Sequence, residues 1–354
     1  MKTHHYTTDE LEEWKKFYNE FDETDRGCYH APWYMESLEG NFETPDEKAE
    51  LFVVEDGEEV AYYPFLRRSL GNLEFADGSD NSLKEYSDIV SSWYYGGPLT
   101  TSDELSGTFV EEFREFCRGE NIVSEFVRFD PNIGNQELFP ELEPTFNRET
   151  VPVDLTVGED GIWENYESRN RRAIRQARDT PLETEVAEDE DEVEEFHSIY
   201  CNAMEGKDAT EHYRFELEFF LDLYRSDFAD FVIAMDSDDN VTVGGFIMVL
   251  DDLRGYHYLS ASNPDYWDMR VNNLMYHRVV MHAHDIGLDI FDFQGGRPGV
   301  FKFKSSFSPN RGEFYISKRI HMEEVYDELV EIAGESGIDT ESGYFPAYRV
   351  EQSN

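Results

Sequence analysis

The chain has 354 residues, of which 39% are hydrophobic and 15% aromatic, and its 78 acidic and 30 basic side chains give a formal net charge of −48. This apolar content is high enough for folded cores, which excludes a disordered acidic tail, and the length predicts two domains.

The acidic residues are spread along the whole chain, and only nine of the thirty basic residues are lysine. Repulsion among so many like charges destabilises a compact state at low salt, whereas the Debye length falls to about 3 Å at 1 M salt. The composition therefore predicts a protein of an extreme halophile's cytoplasm. Net charge then says little about partners, and only local basic clusters are informative.

Cysteine spacing and hydropathy exclude further classes. The three cysteines, Cys28, Cys117 and Cys201, are far apart and odd in number, so they predict neither a disulfide framework nor a C-x-x-C site. Residues 1–14 hold no apolar signal region, and no window approaches the roughly 20 apolar residues of a membrane span. We expect a cytoplasmic protein without a membrane span.

The first half alternates helix and strand patterns that predict a mixed α/β unit. The predicted elements are a helix over 9–21, strands over 51–54 and 60–66 joined by a turn, an aromatic strand that ends at Gly96 and Gly97, a helix over 104–119 and a strand over 123–129.

From residue 151 the pattern restarts, which places a domain boundary near 149–152. The predicted elements are a strand over 151–157, helices over 162–178, 192–204 and 215–225, strands over 231–235, 241–249 and 254–262, a loop over 263–270, a helix over 273–286 and a strand over 288–293. The two halves share a rough order of elements, which is consistent with a duplicated fold.

The strand over 288–293 ends at Gly295 and Gly296, where glycines either take positive φ or let a ligand approach the backbone. Lys302 and Lys304 follow between aromatic residues and offer charges to a phosphate, a carboxylate or a developing oxyanion. The alternative is that both lysines pair with surface carboxylates. We favour function, because two lysines stand here in an overwhelmingly anionic chain.

A cluster of arginines lies on the predicted helix over 162–178. Helical spacing places Arg171, Arg175 and Arg178 on one stripe. Guanidinium groups match phosphate oxygens, so the stripe predicts a phosphate-binding surface. The alternative is pairing with Glu164 and Glu167, which would satisfy one or two arginines of the cluster.

Other polar residues give weaker signals. The histidines at 277, 282 and 284 lack the i, i+4 spacing of a zinc helix, so we expect no metal site. Tyr256, Tyr258 and Ser260 alternate along one predicted strand and offer a proton donor, although aromatic strand residues more often form core.

Several of these segments, taken together, resemble the FemAB family of aminoacyl and peptidyl transferases and its wider relatives with a GNAT-like acyltransferase domain. The similar segments are residues 95–98, 127–131, 171–178, 273–276 with 283–287, and 292–296 with 299–307. The resemblance implies an α/β (α+β) fold of two tandem GNAT-like domains with mixed, largely antiparallel sheets flanked by helices. It matches Lys304 to the family's lysine in an "FK" motif.

The resemblance also implies a reaction in which an amine attacks an activated acyl carbonyl. We expect catalytic roles for Lys304, Tyr258 and Asp292, and substrate contacts at Arg171, Arg175, Arg178, Gly295, Gly296 and Lys302. Residues 263–272 lack the Q/R-x-x-G-x-G segment with which GNAT enzymes hold the pyrophosphate of acetyl-CoA. This departure favours aminoacyl-tRNA or another donor over acyl-CoA, and no permanently bound cofactor is expected.

The preferred function is transfer of an acyl or aminoacyl group to an amine on a cell-envelope or glycan precursor, carried on a small molecule, a lipid or a nucleotide. Two alternatives stay open: a CoA-dependent N-acetyltransferase of an amino sugar or other small amine, and a non-catalytic module that binds nucleotide or RNA. tRNA is a candidate partner and DNA is not. The expected domains are 1–150 and 151–320, with a C-terminal helix and tail over 321–354 that packs back on the first domain.

Overall fold

The computed structural model describes residues 1–39, 47–73, 75, 81–205 and 215–350, so the last four residues of the predicted tail lie outside it. The chain divides into two compact units. The first comprises Met1–Asn147 and Phe314–Asn354, and the second comprises Arg148–Glu313.

The helices and strands follow one another along the described chain in this order. The elements up to residue 150 are β1 (Lys2–Thr7), α1 (Leu11–Tyr18), α2 (Pro32–Leu38), β2 (Lys48–Asp56), β3 (Glu59–Ser69), β4 (Ser87–Ser91), β5 (Leu99–Thr100), α3 (Asp103–Gly119), β6 (Ile122–Arg128) and β7 (Thr145–Thr150). The following elements are β8 (Pro152–Asp154), α4 (Gly158–Asn165), α5 (Ser168–Arg178), β9 (Leu182–Val186), α6 (Glu190–Glu205), α7 (Leu217–Tyr224), β10 (Ala229–Asp236), β11 (Val241–Leu250), β12 (Arg254–Ser262), α8 (Val271–Asp285), β13 (Ile290–Asp292), α9 (Pro298–Lys304), β14 (Gly312–Ile320) and α10 (Glu323–Glu335).

The first sheet has the strand order β1-β2-β3-β4-β6-β14-β7, with β5 paired to β3. Strands β4 and β6 form a parallel pair. The antiparallel pairs are β1–β2, β2–β3, β3–β4 and β6–β14. The apolar stripe of α3 packs Phe109 and Phe113 against Phe52 and Phe65 of the sheet. Burial of these aromatic side chains stabilises the unit, at roughly 25 cal/mol per Å² of apolar surface.

The C-terminal segment packs in a second core of the first unit. Leu329 of α10 and Tyr348 lie against Leu70 and Val123. The fully buried Asp88 carboxylate accepts hydrogen bonds from the Arg68, Arg349 and Tyr348 side chains, at 2.8, 2.6 and 3.1 Å.

The second sheet has the order β8-β13-β12-β11-β10-β9, in which β12 and β13 form the parallel pair. Phe246 of β11 shares a core with α5 and α8. The preceding residue, Gly245, faces the other way, where a Cβ would come within 2.3 Å of the Phe196 ring of α6. Because successive strand residues point to opposite faces, α5 and α8 cover one face and α6 the other. The predicted mixed, largely antiparallel sheets flanked by helices are confirmed.

The single predicted helix over 162–178 is wrong, because the structure has two helices there. Tyr166 and Glu167 are extended, with ψ of 142° and 145°, and the Glu167 N–H donates to the Ser306 carbonyl at 2.9 Å. This bond is made outside the helix, so the helical pattern was overridden by tertiary contact. Over the described residues, no helix is long and apolar enough to cross a bilayer.

Candidate functional site

The parallel strands of the second unit separate where the sequence predicted a ligand edge. Strand β13 pairs with β12 only from Arg254 to Tyr256, although β12 continues to Ser262. Beyond β13 the chain turns at Gln294, which has a φ of 63°. We call the space where the strands part, bordered by His257, Ser260 and Lys304, the strand gap.

Lys304 is held at the strand gap by short-range contacts. Its side chain is 5% exposed, and its Nζ donates to the Gly295 carbonyl at 2.9 Å. Burial lowers the pKa of Lys304 from 10.5 to about 8, and the nearby Asp292 carboxylate opposes this shift. Asp292 is fully buried and accepts from the Gln294 N–H at 2.7 Å. The structure therefore brings Lys304, Asp292 and Gly295 together.

The two glycines do not act through positive φ, because that conformation occurs at Gln294 instead. A Cβ on Gly295 would come within 2.9 Å of the Arg148 side chain and 3.3 Å of the Glu149 carbonyl, and one on Gly296 within 3.1 Å of Val300. Close packing against the chain explains the Gly-Gly pair, and Gly295 contributes its carbonyl to Lys304.

The expectation that Tyr256, Tyr258 and Ser260 share one strand face is wrong. The pairing register with β11 shifts between Ile247 and Met248, so Met248 lies opposite His257 and Ile247 opposite Leu259. This bulge inserts an extra residue and breaks the alternation of faces. The Tyr258 ring consequently lies 6.3 Å from Phe219 of α7, away from the strand gap.

The bulge brings His257 to the same face as Ser260. The Nε2 atom of His257 lies 3.0 Å from Ser260 Oγ, which lies 3.0 Å from the Tyr276 hydroxyl on α8. His257 and Tyr276 were not predicted from the sequence, because alternation without a bulge assigns His257 to the opposite face. The sequence of this strand does not reveal the bulge, and the only available signal was a histidine between two tyrosines.

A cavity of about 390 Å³ adjoins this cluster within the second unit. Phe303, which lines it, packs its ring 5.0 Å from that of Tyr276. Of the described residues that line the cavity, four are cationic and none is acidic. We call this cavity the cationic pocket; its lining is Arg169, Asn170, Arg172, Ala173, Gln176, Arg270, Asn273, Gly299, Lys302, Phe303 and Ser306.

The arginine stripe predicted to bind phosphate has other contacts. Arg171 donates to the backbone carbonyls of Trp163, Glu164 and Tyr166, where α4 ends. Arg175 and Arg178 lie over the Trp163 ring, at 5.3 and 5.6 Å. The break between α4 and α5 turns this stripe towards Trp163.

Arg178 also donates to His277 Nε2 at 2.8 Å. Burial, together with the Arg178 and Arg278 cations, lowers the pKa of His277 to about 4, so this histidine is neutral and accepts the bond. Arg169 and Arg172, on another side of α5, line the cationic pocket instead. The arginine-rich helix thus reaches the pocket through two residues outside the predicted stripe.

Two further cations complete the pocket. Lys302 is exposed, and its carbonyl accepts from Arg169 at 3.2 Å. Arg270 precedes α8 with a φ of 68° and lies 3.5 Å from the Gln176 side chain. The backbone N–H groups in the first turn of α8 therefore lie next to Arg270 in the chain, and both the helix N-terminus and this cation attract anions. Within the described ranges no group of three or more His, Cys, Asp or Glu side chains could hold a metal ion.

Comparisons with known proteins agree with this architecture. Residues 165–305 match the family model described as "Acetyltransferase (GNAT) domain". No curated protein matched. A crystal structure of FemX superposes with a TM-score of 0.63 at 13% identity, covering 93% of this chain and 99% of FemX.

Two other solved structures are similar over most of the chain. The C-terminal domain of a putative lysylphosphatidylglycerol synthetase from Agrobacterium fabrum has a TM-score of 0.56 at 13% identity, covering 88% of this chain and 91% of that domain. A tandem GNAT protein from the clavulanic acid biosynthesis pathway has a TM-score of 0.51 at 10% identity, covering 90% and 98%. The predicted tandem GNAT-like fold is confirmed, and the family match together with that fold supports an acyltransferase.

Proposed function

We propose that the second unit transfers an acyl or aminoacyl group from a phosphate-bearing donor to an amine. The observation that carries this proposal is the cationic pocket, with four cations and no carboxylate among its described lining residues, in a chain with 78 acidic residues. Arg169 pairs with the Glu167 carboxylate at 2.6 Å, whereas Arg172, Arg270 and Lys302 have no carboxylate partner among the described residues. These three cations are therefore suited to an anionic ligand.

The geometry assigns separate tasks to the pocket and the strand gap. Arg172, Arg270 and Lys302 would hold the phosphates of the donor, and this binding would orient its acyl carbonyl towards the strand gap. The amine attacks the carbonyl carbon there, and negative charge develops on the carbonyl oxygen. The Lys304 ammonium, fixed by the Gly295 carbonyl, would stabilise this oxyanion. Asp292, buried beside it, favours the charged form of Lys304.

An aminoacyl-tRNA is the preferred donor. The segment before α8 is a short 3-10 helix, Pro264–Met269, followed by Arg270 in the left-handed region. It holds a tryptophan and two aspartates in place of glycines, so it offers fewer open backbone N–H groups to a pyrophosphate. The name lysylphosphatidylglycerol synthetase belongs to a protein of similar fold, and it favours an aminoacyl donor and a lipid-linked or other envelope precursor as acceptor.

A CoA-dependent N-acetyltransferase is the second candidate. It is favoured by the match of residues 165–305 to a family model described as an acetyltransferase domain. The same pocket would hold the phosphates of CoA, and the chemistry at Lys304 would be unchanged. The acceptor would then be an amino sugar or another small amine.

A donor experiment in molar KCl tests both candidates. The purified protein is titrated with acetyl-CoA and, separately, with tRNA charged with radiolabelled amino acids, and transfer of label to glucosamine, lysine and an envelope-lipid extract is measured. We expect binding and transfer from one donor, with charged tRNA first. Failure of both donors to bind would overturn the proposal, and binding without transfer would favour a non-catalytic nucleotide- or RNA-binding module.

We also propose that the chain works in the cytoplasm of an extreme halophile. The net charge of −48 supports this, because like-charge repulsion must be screened to keep the folded state. The melting temperature should rise markedly from low to molar KCl. A melting temperature that is indifferent to salt would contradict the proposal.

A further inference from the structure

Three polar side chains at the strand gap form a hydrogen-bonded chain to which the proposed function assigns no role. His257 Nε2 lies 3.0 Å from Ser260 Oγ, and Ser260 Oγ lies 3.0 Å from the Tyr276 hydroxyl. His257 and Ser260 are half-buried, whereas Tyr276 is 6% exposed. The chain of bonds therefore runs from the protein interior at Tyr276 to groups that solvent or a substrate can reach.

The protonation of this chain follows from its partners. Burial and the Lys304 cation lower the pKa of His257 overall, and a hydrogen bond with the Phe293 backbone partly opposes them, which is the effect of a carbonyl acceptor on a ring N–H. Since Nε2 faces Ser260, we assign Nδ1–H to the Phe293 carbonyl and an unprotonated Nε2 to Ser260. Ser260 then donates to His257 and accepts from Tyr276.

Charged and aromatic neighbours keep His257 neutral and fixed. Loss of hydration lowers the pKa of His257 well below its usual value, and the Lys304 cation lowers it further. The imidazole stacks on Phe246 of β11, with ring centroids 4.4 Å apart, and meets the Tyr276 ring of α8 at 5.5 Å. Lys304 of α9, with Asp292 behind it, supplies the charge that faces the ring.

Acyl transfer to an amine moves one proton from the attacking nitrogen to the leaving atom, with no net gain or loss of protons. The attacking nitrogen becomes strongly acidic once its bond to the carbonyl carbon forms, so a weak neutral base is sufficient to deprotonate it. The leaving oxygen or sulfur needs a proton when its bond breaks. Both atoms are attached to the same tetrahedral carbon, and one hydroxyl placed beside that carbon can serve each in turn.

We propose that Ser260 and His257 form this proton relay and that Tyr276 positions it; the inference rests on the proposed function. As the C–N bond forms, Ser260 Oγ takes the proton from nitrogen while its own proton passes to His257 Nε2. On collapse of the intermediate the C–O or C–S bond breaks. The imidazolium then returns its proton to Ser260, and Ser260 protonates the leaving atom. The resting state is restored, and no other reactant is required.

A relay and a covalent route would both use the one lone pair of the Ser260 oxygen that the bond from Tyr276 leaves available, so hydrogen bonding alone does not separate them. The Lys304 cation near His257 disfavours a long-lived imidazolium, which suits a proton that is held only between two steps. Ser260 as an acyl-accepting nucleophile is nevertheless a distinct outcome of the experiment below.

The relay is tested by kinetics of the full chain in molar KCl, with the donor and amine probe that support transfer. Ser260→Ala and His257→Gln should each lower kcat about 10²-fold with KM for the donor unchanged, because positioned acid–base groups contribute roughly 10² to 10⁴. Tyr276→Phe should lower kcat less, by about tenfold. Tyr224→Phe, which removes a phenol near Phe231 on the other sheet face, is the matched control and should retain full turnover.

Two further measurements separate a relay from a structural role. In mixtures of light and heavy water, the plot of kcat against deuterium fraction should curve for the wild-type protein, because two protons move together, and should be linear for Ser260→Ala. Nitrogen NMR of the histidines should show His257 with Nδ1–H and a bare Nε2 at neutral pH. Melting temperatures of all variants confirm that each is folded.

The outcomes are distinguishable. Full turnover in folded Ser260→Ala and His257→Gln, an Nε2–H tautomer, or an acyl adduct on Ser260 by mass spectrometry would overturn the relay and leave the proposed function standing. Absence of transfer by the wild-type protein from both charged tRNA and acetyl-CoA would overturn the two together.

Discussion

The parallel pair β4 and β6 of the first unit and the parallel pair β12 and β13 of the second unit end differently. Beyond β4 and β6 of the first unit the space is filled by Asn135, which is fully buried. Its amide donates to the Gly96 and Pro98 carbonyls at 2.8 and 3.0 Å, and its oxygen accepts from the Asp130 N–H at 2.9 Å. In the second unit, half-buried His257 and Ser260 follow the segment of β12 that pairs with β13, and His257 lies near the charged Lys304.

We infer from this difference that a parallel strand pair serves stability in the first unit and, under the proposed function, chemistry in the second. An amide that satisfies three backbone groups contributes stability. A buried lysine with a lowered pKa costs stability and is retained at positions where charge is needed. We therefore expect substitutions of buried polar groups to lower stability in the first unit and turnover in the second.

The largest expected effect is on stability, from Asp88→Ala in the first unit. It would leave the Arg68 and Arg349 cations without their buried carboxylate, and breaking a buried ion pair costs about 3 to 5 kcal/mol. Denaturant unfolding in molar KCl measures this loss, and turnover per folded molecule should be unchanged. A loss below about 1 kcal/mol would show that this cluster does not hold the C-terminal segment.

Lys304→Met should lower turnover and leave stability intact, the opposite of Asp88→Ala. Turnover should fall about 10²-fold or more, the scale for loss of one oxyanion donor, with donor affinity retained. Because a pKa lowered from 10.5 to about 8 corresponds to about 3 kcal/mol against the buried charge, stability at pH 7 should be equal or higher. Lys302→Met should affect turnover less, and Lys318→Met in the first unit is the control. Full turnover in Lys304→Met would remove Lys304 from the mechanism.

Arginines on the two sides of α5 should separate binding from stability. Arg172→Ala should weaken binding of charged tRNA or CoA by roughly 1.5 to 3 kcal/mol with little change in melting temperature. Arg171→Ala should lower the melting temperature and leave affinity unchanged, because Arg171 donates to the carbonyls at the end of α4. If titration calorimetry instead shows weaker binding by Arg171→Ala and unchanged binding by Arg172→Ala, the predicted stripe of Arg171, Arg175 and Arg178 is the binding surface.

The pH dependence is the smallest expected effect. Lys304 loses its charge as the pH rises through about 8, so turnover should decline above that pH, and Lys304→Arg should retain its residual turnover there. Between about 8 and 10.5 the folded state binds fewer protons at Lys304 than the unfolded state, so the free energy of unfolding should rise with pH in this window. A wild-type turnover that is flat from pH 7 to 9 would contradict the charged role.

Sequence patterns were sufficient for most elements and indicated the segment that holds the candidate site, but they did not predict the geometry within it. Residues 288–304 stood out because glycines and lysines follow an apolar strand, and the structure places Lys304 in contact with Gly295 and near the Asp292 carboxylate. The faces of β12 could not be predicted, since one bulge residue reverses the alternation. The contacts of Arg171, Arg175 and Arg178 with the end of α4 could not be predicted, because the bond between Glu167 and Ser306 breaks the helix.

The most direct test of the account is to locate the bound donor along the chain. A photoreactive CoA thioester and a tRNA charged with a photoreactive phenylalanine analogue are each irradiated with the protein, and the cross-linked peptides are identified by mass spectrometry. We predict adducts within residues 169–176 or 299–306 that unlabelled donor competes away and that Arg172→Ala reduces. Competed adducts within residues 91–98 of the first unit would contradict the assignment of the reaction to the second unit.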